Sequence, residues 1–222
     1  MPPPPRPHVA FTAAVRAEQA RRGSRDLYRR VEERGGWETR ITPALAAFLA
    51  ERDSLYLATA SAAGQPYVQH RGGPPGFLRV LGERTVGFAD FAGNRQYITL
   101  GNLAENSRAF LFAMDYSARR RVKLWGRARA VEGDPALLAR LLPEAHAARP
   151  ERAILFEVEA WDVNCPQHIP VKLGAAEIER LVEPLRRRIA ALLLENRRLR
   201  AASRRGGGVT HRPAHTGKGV PR

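Results

Sequence analysis

The order of elements predicts a mainly β, α+β protein: a six-stranded antiparallel barrel with flanking helices and a long C-terminal helix. Three observations carry this. Short β-rich runs follow one another from Ser54, separated by Gly, Pro and Glu-Arg punctuation. Only two helical stretches interrupt them, so the regular strand–helix alternation of a parallel doubly wound sheet is missing. Closely spaced short strands favour a closed antiparallel sheet.

Each element has a local reason. Residues 2–7 are proline-rich and extended. Phe11, Ala14 and Val15 line one face of a helix running to about Arg22, where Gly23 stops it. Ser24 is a good N-cap for a second helix, Arg25 to Arg34, with Leu27, Tyr28 and Val31 at helical spacing. Gly35-Gly36 ends it. Thr42-Pro43 starts a third helix, a cap followed by proline in the first turn, with Leu45, Phe48 and Leu49 as its apolar face. These three helices read as a covering layer; a lid over an active site is the sharper alternative.

LYLATAS, PYVQH, GFLRVL and TVGFAD follow as strands. Residues 94–106 are a helical stretch with Tyr97, Ile98, Leu100 and Leu103 available to face inward. RAFLFAMDY is a continuous apolar run expected to be buried on both faces. VKLWGRARAV alternates Val122, Leu124, Gly126 and Ala128 with Lys123, Trp125, Arg127 and Arg129, the period of a half-buried strand. Asp134-Pro135 caps a helix through about Ala148. In AILFEVEAWDV, Ile154, Phe156, Val158 and Ala160 share a face. Ile178, Leu181, Leu185, Leu192 and Leu199 then mark a long helix whose spacing approaches a coiled-coil seam, with Pro184 and Arg188 against it.

This divides the chain into an N-terminal helical extension (1–42), a barrel domain (43–172), a C-terminal helix that is a coiled-coil candidate (173–202), and a basic, disordered tail (203–222). The net charge is +15 over 222 residues, but residues 197–222 hold eight basic and no acidic groups. The tail therefore carries more than half the excess, and nucleic acid or an anionic surface is a partner for the tail rather than for the fold. No uninterrupted apolar run reaches transmembrane length, and no secretory signal pattern opens the sequence, so a cytoplasmic location is expected.

Chemistry is constrained largely by elimination. The six histidines form no HExxH or HxH pattern, so no metal site is expected. The single cysteine, Cys165, precedes proline and lacks a glycine-rich elbow, which favours a structural role over a Cys165–His168 dyad. There is no P-loop and no GxGxxG after a strand. What remains is the stretch from Gln65 to Asn102. A phosphate monoester needs fixed positive charge and backbone donors, and Gly93-Asn94-Arg95 before a helix offers both. A solvated arginine in an ordinary turn is the competing reading. Gln69, His70 and Arg71 end an apolar strand and are followed by Gly72-Gly73, which would let a flat ring approach the backbone. An ordinary hairpin edge competes here.

His70-Arg71-Gly72-Gly73 with GFLRVL, then FADFAGNRQYITLGNL, RRRVKLWGRARAV and WDVNCPQHIP, in that order, resemble the pyridoxamine 5′-phosphate oxidase-related FMN-binding family over roughly residues 10–172. The resemblance implies a split β-barrel and a homodimer with two FMN molecules at the subunit interface. It implies that Tyr67–Gly72 runs along the flavin ring, and that Ala89 and Asp90 lie near the ring or ribityl chain. Asn94 and Arg95 would hold the phosphate, Arg121 would reach the flavin or its phosphate, and Trp161 would approach the partner's FMN. The chain departs from the true oxidase at Gly93-Asn94-Arg95 (Ser-Arg-Lys there) and at Arg121 (glutamine there). It also lacks the C-terminal Arg-x-His-Asp-Arg element that binds the vitamin substrate. The expectation is an FMN-dependent oxidoreductase with a different small-molecule substrate and NAD(P)H as a possible donor. His168 is the candidate catalytic donor or acid. The alternatives are a flavin carrier or redox sensor without turnover, or haem or a deazaflavin on the same barrel.

Overall fold

The computed structural model describes residues 9–142, 150–163 and 166–206. The proline-rich start, the end of the helix expected through Ala148, Cys165 and the tail beyond Gly206 lie outside them. The chain divides into two compact units, Met1–Val171 and Lys172–Arg222.

In the first unit three helices, α1 (Ala13–Arg21), α2 (Arg25–Glu33) and α3 (Pro43–Ala50), precede the strands. Thr42 caps α3 as its sequence predicts, its hydroxyl accepting from the Leu45 amide at 3.2 Å. Ser24 precedes α2 but makes no capping hydrogen bond. The strands are β1 (Ser54–Ala60), β2 (Pro66–Gly72), β3 (Arg79–Val80), β4 (Thr85–Phe91), β5 (Arg108–Asp115), β6 (Arg120–Val131) and β7 (Pro150–Val163). Helix α4 (Ile98–Glu105) and helix α5 (Pro135–Leu141) are the two insertions.

One antiparallel sheet takes the order β2-β1-β5-β6-β7-β4-β3. The seventh strand, beyond the six expected, is the two-residue edge β3. The sheet curls around Leu55, Leu57, Phe88, Leu111, Leu124 and Phe156, which are at most 1% exposed. Strands β2 and β4 do not pair, which leaves the barrel split. The split is spanned by an ion pair from Arg71 on β2 to Asp90 on β4, and α4 packs beside it on β1 and β2. Asn102 of α4 donates to the Thr59 hydroxyl at 3.0 Å, a buried bond that pins the helix to β1.

Strand β6 shows the expected alternation: Val122, Leu124, Gly126 and Ala128 are buried, and the intervening residues are not. Strand β5 departs from expectation. Leu111 and Ala113 are buried, but Phe110 and Phe112 on its other face are only half-buried. A run of consecutive apolar residues cannot distinguish a second buried face from one that awaits a partner.

The segment before α1, helix α2 and Trp37 cover part of that outer face, whereas α3 packs Leu45, Phe48 and Leu49 into the core. Trp37 stacks on Trp125 of β6 with centroids 4.6 Å apart. Phe11 packs on Trp37 and Tyr28, and Phe110 meets Trp125 edge-on. The layer sits on the sheet's back, away from the split.

At the β5–β6 turn, Asp115 is bound by the Ala118 amide at 2.9 Å, the Ser117 hydroxyl at 3.0 Å and Arg52 at 3.0 Å. Burial pushes its carboxyl upward, but these donors outweigh burial and hold it below the ordinary carboxylate value. A depressed folded value adds stability above the unfolded value, and that stability is lost as pH falls through the folded one. Asp115→Asn should therefore lower stability at neutral pH, by about 1–3 kcal/mol, and the difference from the parent should shrink as pH falls below ~4. Chemical denaturation at pH 7 and pH 3 measures this; an equal loss at both would remove the carboxylate from the explanation.

Among the described residues no helix is long and apolar enough to cross a membrane.

Candidate functional site

The split in the barrel opens into a cleft. An open hollow of about 400 Å³, counting solvent at its mouth, is lined by residues from β2, β4, the β4–α4 loop, the first turn of α4 and the start of β7. Alternation along β2 sends Tyr67, Gln69 and Arg71 into it. Strand β4 contributes Asp90 and Phe91, and the loop contributes Gly93, Asn94, Arg95 and Gln96. Strand β7 contributes Glu151 and Arg152.

The loop is shaped by two left-handed residues, Arg95 (φ 58) and Tyr97 (φ 54). Both carry side chains, so each position is unfavourable in isolation and is held by its surroundings. The Asn94 side chain accepts from the Gln96 amide at 3.2 Å, closing the turn locally. Helix α4 consequently begins at Ile98, not near Asn94 as the apolar spacing suggests. Its N-cap is Tyr97, and no side chain caps it. The first-turn amides and the positive end of the helix dipole are thereby left at the cleft wall.

Charge in the cleft is concentrated. Arg71 pairs with Asp90 at 2.9 Å, and Arg152 approaches the other Asp90 oxygen at 3.6 Å. Arg152 also bonds Glu132 at 2.9 Å and Glu151 at 2.8 Å and lies over the Tyr97 ring. Burial pushes the Asp90 carboxyl above its ordinary value, against the pull of Arg71 and Arg152; nearby Glu151 adds to the rise. Asp90 is thus a costly group whose role is to hold two guanidiniums at one place. Arg71 also reaches the Thr99 hydroxyl at 3.5 Å, and that hydroxyl donates to Gln69 at 3.2 Å. The Nε of Arg71 is buried and has no partner. A buried, unpaired donor on a cation is costly unless an acceptor arrives. Arg95 is exposed beside it.

Of the ten sequence candidates for cofactor binding, Gln69, Arg71, Asp90, Asn94 and Arg95 line this cleft. The other five do not. His70 points to the opposite face of β2, edge-on to Tyr56 at 5.8 Å, because neighbours on a strand face opposite ways. Gly72 packs against its own chain: a Cβ there would lie 3.2 Å from the Asp53 carbonyl oxygen. Ala89 faces away from Asp90 and packs with Ala153 and Leu141 under α5. Arg121 lies on the outer side of β6, opposite Met114, with its Nε buried and unpartnered. Trp161 packs on the core and donates its indole N–H to the Arg40 carbonyl at 2.8 Å. His168, the catalytic candidate, is exposed in a turn at φ 63 and is not part of the cleft lining.

Sequence reading missed Tyr97, Thr99, Glu151 and Arg152. Thr99 sits on a helix whose pattern advertises only its apolar face. Arg152 is about 60 residues from the motif it joins, and only the β4–β7 pairing, which sets it opposite Asp90, brings it in. Among the described residues no cluster of His, Cys, Asp and Glu could hold a metal ion.

The cleft thus brings together three guanidiniums, two of them paired with Asp90, and the uncapped start of α4, with Tyr67 and Tyr97 in its lining. Solved structures with low overall similarity include HupZ from Group A Streptococcus at 15% identity, covering 60% of this chain and 99% of that one, with a TM-score of 0.45. An FMN-binding protein from Syntrophomonas wolfei shows 11% identity, 66% and 97% coverage and a TM-score of 0.43. HutZ, the heme storage protein from Vibrio cholerae, shows 17% identity, 56% and 94% coverage and a TM-score of 0.40. The search of curated proteins finds no match. The family model described as pyridoxamine 5′-phosphate oxidase matches residues 41–165, more than half of the chain and all of the split and its cleft. By that match the chain belongs to the pyridoxamine 5′-phosphate oxidase family.

Proposed function

We propose that the protein binds FMN in this cleft and acts as a flavin-dependent oxidoreductase on a small molecule other than pyridoxamine phosphate. The observation that carries the reading is the buried, unpartnered Nε of Arg71 beside the uncapped first turn of α4. Both ask for an anion, and Arg95 supplies mobile charge at the same place. Asn94, Arg95 and the α4 amides would hold the phosphate. Tyr67, Gln69 and Arg71 along β2 would lie beside the ring, where the Arg71 charge favours an electron-rich flavin. FMN bound there supplies hydride or electron transfer. Among the described residues the lining offers no histidine, cysteine or methionine, which favours a flavin over a haem iron in the cleft. The same pocket without a donor or substrate would make the protein a flavin carrier.

The functional unit in this reading is a homodimer. On the outer face of β2-β1-β5, Val68 is 58% and Tyr56 40% exposed, flanked by half-buried Phe110 and Phe112. Monomers seldom leave such a patch bare. Arg121 borders it, on the side from which it could serve a flavin held between subunits.

The purified protein should show a flavin spectrum, or take up added FMN, and bleach when NADH or NADPH is added without oxygen. A flavin that no reductant bleaches would leave the carrier. Failure to take up FMN would remove the proposal. Tyr56→Arg, which places a charge in the interface, should release the flavin; full retention would count against the dimer.

A further inference from the structure

The second unit contains one described element, α6 (Ala175–Gly206), 32 residues long. Ile178, Leu185, Leu192 and Leu199 along it are each 46–63% exposed. They recur at intervals of seven, and Val182, Ile189 and Asn196 follow each of the first three by four residues. That is a heptad with leucine or isoleucine at d and, at a, Val182, Ile189 and Asn196. In this register neither residue against a seam lies in it, and α6 runs through Pro184 as one helix. Arg188 falls at the flanking g position, and Pro184 at the outward c position.

We infer that α6 pairs with α6 of a second copy of this chain as a parallel two-stranded coiled coil. β-Branched residues at a with leucine at d select two parallel strands, and one buried asparagine at a selects register and stoichiometry. Asn196 meets Asn196 only in the parallel, in-register pair; there the two amides satisfy each other. The charges agree. In that pair Glu195 at g faces Arg200 at the following e position of the other copy, and neither has an ionic partner among the described residues. Within the helix Arg187 pairs with Glu183 at 3.0 Å on the outer surface, at f and b, and Arg186 pairs with Glu179 along the flanking e positions. Leu181 at g and Leu193 at e widen the seam; Leu194, at f, lies outside it. The inference is independent of the flavin and of the barrel interface.

Cysteine cross-linking in the full chain tests it, with Cys165→Ser removing the native thiol. Ser203→Cys places a thiol at an a position, where a parallel pair sets it against itself. Under mild oxidation it should form covalent dimer at least tenfold faster than Arg198→Cys, which faces outward at c. Adding Leu192→Asp should abolish the difference while leaving the barrel untouched. Equal rates for the two cysteines would overturn the proposal, as would cross-linking unaffected by Leu192→Asp. Preferential cross-linking of Ser203→Cys to Ala175→Cys in a mixture would show an antiparallel pair, since the two positions are about 42 Å apart along a helix. Three or four chains by sedimentation would overturn the stoichiometry.

Discussion

Replacing Arg95 with alanine is expected to weaken FMN binding by about 10- to 100-fold. One charge-assisted hydrogen bond contributes roughly 1.5–3 kcal/mol, and each 1.4 kcal/mol is about tenfold in affinity. Arg95 is a clean position for this test. It is exposed and has no ion pair among the described residues, so truncation leaves no buried charge behind. Its left-handed backbone, φ 58, is equally unfavourable for arginine and alanine. Stability without ligand should change by less than about 0.5 kcal/mol. Fluorescence titration with FMN, alongside thermal unfolding of the apoprotein, separates the two effects. Unchanged affinity would refute the phosphate assignment. Arg71→Ala is the less clean experiment, because it leaves Asp90 buried with only Arg152 nearby.

Gly126→Ala is expected to be the most damaging single change to the fold. A Cβ at this position would lie 2.0 Å from the backbone oxygen of Glu157 and 2.8 Å from the Phe156 ring. Backbone cannot rotate aside as a side chain can, so β6 or β7 must move. The site coincides with a register break: Trp125 faces Ala160 and Gly126 faces Val158, leaving Glu159 as an extra residue. Such bulges bend a strand and help a sheet curl. Overpacking commonly costs about 1–3 kcal/mol, and a backbone clash at the bend belongs at or above the top of that range. Denaturant unfolding of the variant measures it. Stability within 1 kcal/mol of the parent would show that the strands separate more easily here than the packing implies.

Much of the barrel could be read directly because each strand has its own period. The alternation in β6 and the shared face of Ile154, Phe156 and Val158 are local consequences of a pleat with one buried side. The Thr42-Pro43 helix start was readable for the same reason: capping is a contact across three residues. Outcomes that depended on partners far along the chain were less legible. The outer face of β5 looked buried because apolar residues do not reveal whether their cover is in the same chain. Helix α4 starts later than its apolar spacing implies because Arg95 and Tyr97 turn left-handed, a choice made by the packed loop.

For the candidate site, the sequence by itself determined where the basic groups fall: Arg71 on a strand end, and Asn94-Arg95 ahead of a helix, are local features. It also determined the α6 heptad, which needs nothing but spacing. Only the tertiary structure decided which side of each strand meets the cleft, separating Arg71 from His70 and Asp90 from Ala89. It alone brought Arg152 across from β7 to share Asp90 with Arg71. The physical reason is that strand parity is absolute only once one face is buried, and burial is a property of the whole sheet.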